Sequence, residues 1–117
     1  MRLLIAYEDD HRVYSGVMER VIRDSRPHLE VKAVPMCELG AAIERIDPHV
    51  VLCERQNPAQ PGGTGAWIKL SYEPDEPSEV CLDGQRWELD NPGIEQLLTI
   101  VDKVEDLMRN GRVLQGC

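Results

Sequence analysis

Two carboxylate groupings are the residues of this chain best able to do chemistry, and each follows a short apolar run. Glu8, Asp9 and Asp10 follow Leu3, Leu4, Ile5, Ala6 and Tyr7; Glu54 follows Val50, Val51, Leu52 and Cys53, which are themselves introduced by Asp47 and Pro48. A run of branched apolar residues between a proline entry and a polar exit predicts a strand buried on both faces, as at the centre of a parallel sheet. Ligand crevices of open α/β sheets lie outside the carboxyl ends of such strands, which makes Glu54 a candidate site residue. Clustered carboxylates repel one another unless a cation sits among them, so Glu8, Asp9 and Asp10 read either as a weak Mg²⁺ or Ca²⁺ site or as a charge set that caps and solubilises a helix start.

The elements that would position these acids follow from periodicity. A helix is predicted from Asp10 or His11, with Val13, Val17, Val21 and Ile22 at helical spacing, fading by Ser25, Arg26 and Pro27. Alternating apolar and charged residues over 29–34 predict a half-exposed edge strand, and residues 37–46 a second helix with Leu39, Ala42, Ile43 and Ile46 on one face. After the central strand, residues 56–65 have the composition of a Pro/Gly loop, and residues 66–72 read as a fourth strand. Residues 79–82 and 86–89 flank an Asp83-Gly84 hairpin signal. A last helix is expected from an Asn91 cap and Pro92, carrying Ile94, Leu97, Leu98, Val101, Val104, Leu107 and Met108, to Asn110 and Gly111. Residues 1–111 thus form one domain, and 112–117 a flexible tail.

Composition limits the function. The chain has 117 residues, 42% hydrophobic and 29% charged, enough for one modest core and not for two domains. With no phenylalanine, that core must be aliphatic. A formal charge of −8 argues against nucleic acid and anionic membranes as partners. The N-terminus lacks the length and cleavage site of a signal peptide, and no apolar run approaches a spanning helix, so a cytoplasmic location is expected. Cys37, Cys53, Cys81 and Cys117 form no C-x-x-C pair and lie near no histidine at ligand spacing, which argues against zinc and dithiol chemistry. A thiol sensor would need a cationic neighbour that the sequence does not supply. His11, His28 and His49 are dispersed and read as surface or capping residues; Ser15 and Ser71 lack a partner histidine for a hydrolase triad. The glycines at 62, 63 and 65 precede a strand and lack a lysine, so they make no P-loop.

The order proline, polar residue, four apolar residues, acid and nearby proline, in residues 48–58, resembles the third strand of the receiver domains of two-component response regulators. The resemblance covers the first half of the chain well and the last helix tolerably. It implies a flavodoxin-like three-layer α/β sandwich with a mainly parallel five-stranded sheet in order 2-1-3-4-5. An added hairpin and reduced helices after strands three and four modify it. It puts Glu54 on the phosphoacceptor aspartate, Glu8 and Asp9 on the magnesium-binding acids, with Asp10 an alternative register, and Ser71 on the Ser/Thr switch. With Glu54, Glu8 and Asp9 would form a weak metal site. The family's fifth-strand lysine falls near Asp90, where this chain has an acid. Glu54 reaches about 1.5 Å further than aspartate, enough to spoil in-line transfer, while its length and charge resemble a phosphorylated aspartate. The implied function is a non-enzymatic pseudo-receiver that acts by protein–protein interaction; the alternative is a phosphoacceptor or Mg²⁺-binding receiver using the acidic pocket. Losing two helices would bare sheet surface, so a homodimer or protein complex is expected through the last helix and the strands carrying Trp67 and Trp87.

Overall fold

The computed structural model describes residues 1–54, 65–71, 75–90 and 92–111. These residues build an α/β domain in which a six-stranded mixed sheet is flanked by three helices. The strands are β1 (Arg2–Tyr7), β2 (Glu30–Pro35), β3 (Val50–Cys53), β4 (Ala66–Lys69), β5 (Ser78–Leu82) and β6 (Gln85–Leu89). The helices are α1 (Arg12–Ser25), α2 (Leu39–Ile46) and α3 (Ile94–Arg109), and short 3-10 turns, Asp9–His11 and Met36–Glu38, lead into the first two.

The sheet order is β2-β1-β3-β4-β5-β6. Strands β2, β1, β3 and β4 are parallel, in a register that sets Leu3 beside Val50 and Val50 beside Ala66. The expected neighbourhood of the first and central strands is therefore present. The expected fifth parallel strand is not beside β4. That place is taken by β5, antiparallel to β4 on one side and to β6 on the other. Two antiparallel steps return β6 to the direction of β4, so the hairpin strand is inserted within the sheet and not appended to it. The cause is local: Asp83 and Gly84 take left-handed φ values of 53° and 81°, the two-residue turn that suits the twist of adjacent strands. A two-residue turn permits only antiparallel neighbours.

Alternation along each strand splits the core into two layers. Leu3, Ile5, Val50, Leu52, Ile68 and Val80 face α1 and α3, which contribute Met18, Ile22, Leu97, Val101 and Val104. Leu4, Ala6, Val51, Cys53, Trp67 and Cys81 face the other way, where α2 contributes Leu39 and Ala42. Central strands β1 and β3 are buried on both faces, as their unbroken apolar runs required. Each fully buried Leu or Ile stabilises the fold by about 1.5–3 kcal/mol relative to an exposed side chain.

Three sequence expectations need correction. The stripe assigned to the first helix is displaced: Ser15, Met18 and Ile22 are buried, whereas Val13 and Val17 face solvent. No side chain caps α1; His11 holds the N-cap position, and the acids lie in the preceding 3-10 turn. Helix α3 begins after Gly93, whose N–H donates to Gln96 Oε1 at 3.0 Å, and not at Pro92. The Asn91 cap, most of the Pro/Gly loop, Tyr72 and the 112–117 tail lie outside the described residues.

Candidate functional site

Glu54 leaves the carboxyl end of β3 on the side of the sheet covered by α1 and α3, because its alternation follows that of Val50 and Leu52. Beside it, β1 ends at Tyr7, and the chain turns through Glu8, Asp9, Asp10 and His11 into α1. The His11 N–H closes this turn on the Glu8 carbonyl at 3.0 Å. That turn folds over Glu54. The Glu8 N–H donates to Glu54 Oε2 at 3.1 Å, and His11 Nδ1 lies 2.6 Å from Glu54 Oε1, an ion pair when the imidazole is protonated. The Glu54 side chain is only 13% exposed, so its carboxylate is held largely away from water by groups of its own chain.

The other candidates are distributed around this pair. Asp9 and Asp10 are exposed, and Glu8 reaches Glu54 through its backbone. Among the described residues, no group of three His, Cys, Asp or Glu is placed to hold a metal ion, so Glu8, Asp9 and Glu54 do not form the expected ligand set. The physical reason is the turn itself, which presents an amide and an imidazole to Glu54 where a second carboxylate was expected. Ser71 lies just past β4; Leu70, before it, donates its N–H to the Cys53 carbonyl at 2.6 Å, which keeps Ser71 at the same end of the sheet as Glu54. The Ser71 N–H donates to the Ser78 hydroxyl at 3.0 Å. Asp90 is exposed after β6, and β6 is three strand spacings from β3, about 14 Å at the usual separation. The inserted β5 therefore removes Asp90 from the pocket.

Two basic residues at this end of the sheet, His11 and Lys69, were not legible in the sequence as neighbours of the acids. His11 was legible only as a boundary residue, since nothing in spacing shows that a 3-10 turn brings it onto Glu54. Lys69 is opposite Cys53 in the sheet register and lies 3.5 Å from Glu79 and 3.8 Å from Glu76. Its pairing with Glu79 follows from the antiparallel register of β4 and β5, which sets the two directly across from each other.

His49 occupies the opposite end of β3. Its Nδ1 accepts the Arg2 N–H at 3.0 Å, and burial, reinforced by the Arg2 charge, holds its imidazole below the ordinary histidine pKa. His28 is exposed and pairs with Glu105 on α3 at 2.7 Å. Cys53 is a buried thiol within the core, Cys37 an exposed thiol, and Cys81 is disulfide-bonded. The two tryptophans lie on opposite faces of the sheet. Trp67 is 3% exposed beside Cys81 in the α2 layer, whereas Trp87 is half-buried against the α1 and α3 layer. One flat partner surface cannot be built from both side chains.

No protein family, characterised protein or solved structure matches this chain. Among the described residues, no helix is long and apolar enough to cross a membrane.

Proposed function

We propose that this chain is a non-enzymatic regulatory module of pseudo-receiver type, serving signal transduction by binding protein and not by phosphoryl transfer. The observation that carries the reading is the engagement of both Glu54 oxygens, one by His11 and the other by the Glu8 N–H. A phosphoacceptor carboxylate must present a free oxygen in line with the donor, beside a metal that neutralises the incoming charge. Here an imidazole nitrogen and a backbone N–H of the chain itself occupy the two oxygens. The arrangement is that of a site fixed in one state, with a carboxylate of phosphoaspartate-like length already paired.

The competing reading, a phosphoacceptor or Mg²⁺-binding receiver, draws on Asp9 and Asp10, which are exposed in the turn between β1 and α1. It requires Glu54 to exchange His11 for a cation or a donor. Incubation with acetyl phosphate and Mg²⁺ followed by intact mass spectrometry separates the two. The unmodified mass is expected throughout. A stoichiometric phosphoryl adduct that disappears in Glu54→Gln would overturn the proposal. We also propose a cytoplasmic location, the compartment in which a regulatory module of receiver type would meet its partners. The structure holds Cys81 in a disulfide, which a reducing cytosol disfavours, so the location requires that bond to open in intact cells and Cys81 to be trapped there by alkylation as a thiol; finding it oxidised contradicts the location.

A further inference from the structure

The core takes Ser15, Met18 and Ile22 from α1 and leaves a second apolar line on its outer side. Val13 is 82% exposed, Val17 58% and Tyr14 51%, and these are the exposed large hydrophobic residues among those described. Val13 and Val17 are one helical turn apart and therefore adjacent on one line. Asp10 lies a turn before them and Arg20 a turn after, both exposed and neither in an ion pair among the described residues. From Asp10, in the 3-10 turn ahead of α1, to Arg20 the strip thus reads acid, valine, valine, base, and the exposed Asp24 continues the line one turn beyond it. β-branched residues are neither favoured in helices nor favoured in water, so the strip is costly to an isolated domain on two counts.

We propose that this strip is the interface with a second copy of the same chain, α1 packing antiparallel against α1 about a two-fold axis level with Ser15. The charge order selects this arrangement. Reversing the strip end for end sets Val13 against Val17 and Asp10 against Arg20, and two-fold symmetry makes each contact twice. A parallel pairing would set Asp10 against Asp10 and Arg20 against Arg20. Gly16 adds compatibility: a Cβ there would meet nothing within 4 Å, so its own fold does not need the missing side chain, and backbone approach from outside is open. Helix α1 has 14 residues, about 21 Å of length. A contact of that length falls short of standard stable interfaces, so the dimer is weak, concentration-dependent and loosened by salt.

This inference rests on the protein-binding reading and names its partner. The test is sedimentation of the full chain from micromolar to millimolar concentration, at low and high salt, with circular dichroism to verify that each variant is folded. The wild type should show a monomer–dimer equilibrium that salt weakens. Arg20→Asp and Asp10→Arg should each raise the dimer Kd roughly tenfold or more, since each reversal creates two like-charge contacts. The double variant Asp10→Arg with Arg20→Asp should restore association, and Val17→Asp should abolish it. A monomer at all concentrations, or a dimer indifferent to the single reversals, would overturn the inference. Neither result bears on whether Glu54 accepts phosphate, so the two proposals fail independently.

Discussion

At the residue scale, the environment of an ionisable group decides its use more than its type does. Glu54 and His49 flank β3, one at each end, and Glu54 has the His11 imidazole 2.6 Å from one of its oxygens. His49 instead accepts an N–H through Nδ1, which requires the neutral ring, and its pKa is lowered from 6.5 by burial first and by Arg2 second. A lowered folded-state pKa means that the unfolded chain binds more protons, so the His49 contribution is complete above about pH 6.5 and declines as pH falls below it. Denaturation midpoints should therefore drop between about pH 7.5 and about pH 5. His49→Asn, which keeps an acceptor for the Arg2 N–H but does not titrate, should flatten that dependence. An unchanged slope in the variant would place the titrating group elsewhere.

At the scale of elements, glycines separate positions the backbone needs from positions it merely tolerates. Gly84 has φ 81° in the turn that joins β5 to β6. Gly84→Ala should cost about 1–2 kcal/mol, the penalty for an L-residue in the left-handed region. Gly16 is different, since it lies within α1 and has open space where a Cβ would stand. Gly16→Ala should stabilise the monomer by about 0.5–1 kcal/mol through helix propensity alone. Urea denaturation at concentrations too low for self-association checks both. Opposite signs are expected, and equal signs would show that the two glycines share a role.

At the scale of the whole molecule, the C-terminal end of α1 is tied by charge to the middle of α3. Arg26, which caps α1, donates Nε–H to Asp102 Oδ1 at 2.8 Å and a second N–H to Oδ2 at 2.7 Å, a bidentate pair between segments far apart in sequence. Its hydrogen bonds hold the Asp102 carboxyl below its ordinary value of 3.8. The pair's contribution is present above that value and is lost as pH falls through the lower folded-state pKa, so it should deepen acid unfolding. A double-mutant cycle with Arg26→Ala and Asp102→Ala should show favourable coupling at neutral pH that vanishes in strong acid. Additive single effects at neutral pH would show the pair to be energetically silent, as many exposed ion pairs are.

How far the sequence reached can be traced through the same residues. The apolar runs of β1 and β3 could be read directly because a strand buried on both faces leaves no alternation to misread. The alternation of β2 marked an edge, and Asp83-Gly84 marked a hairpin, because a turn's φ requirements are met by very few residue types. Glu54 at a strand's carboxyl end was also legible, since strand direction and crevice position are linked in α/β sheets. Four things were decided only by tertiary structure. Which side of α1 is buried depended on Met18 and Ile22 meeting the sheet, and two apolar stripes competed for that place. Where the hairpin sits depended on β5 pairing with β4 in preference to remaining at an edge, and that choice carried Asp90 away from the pocket. The partners of Glu54 depended on a turn whose 3-10 geometry no periodicity encodes. The opposed faces of Trp67 and Trp87 followed from a register between strands that are not adjacent. Local sequence fixes the conformations that few residues can adopt, whereas pairing and facing are settled by which surfaces compete for the same neighbour.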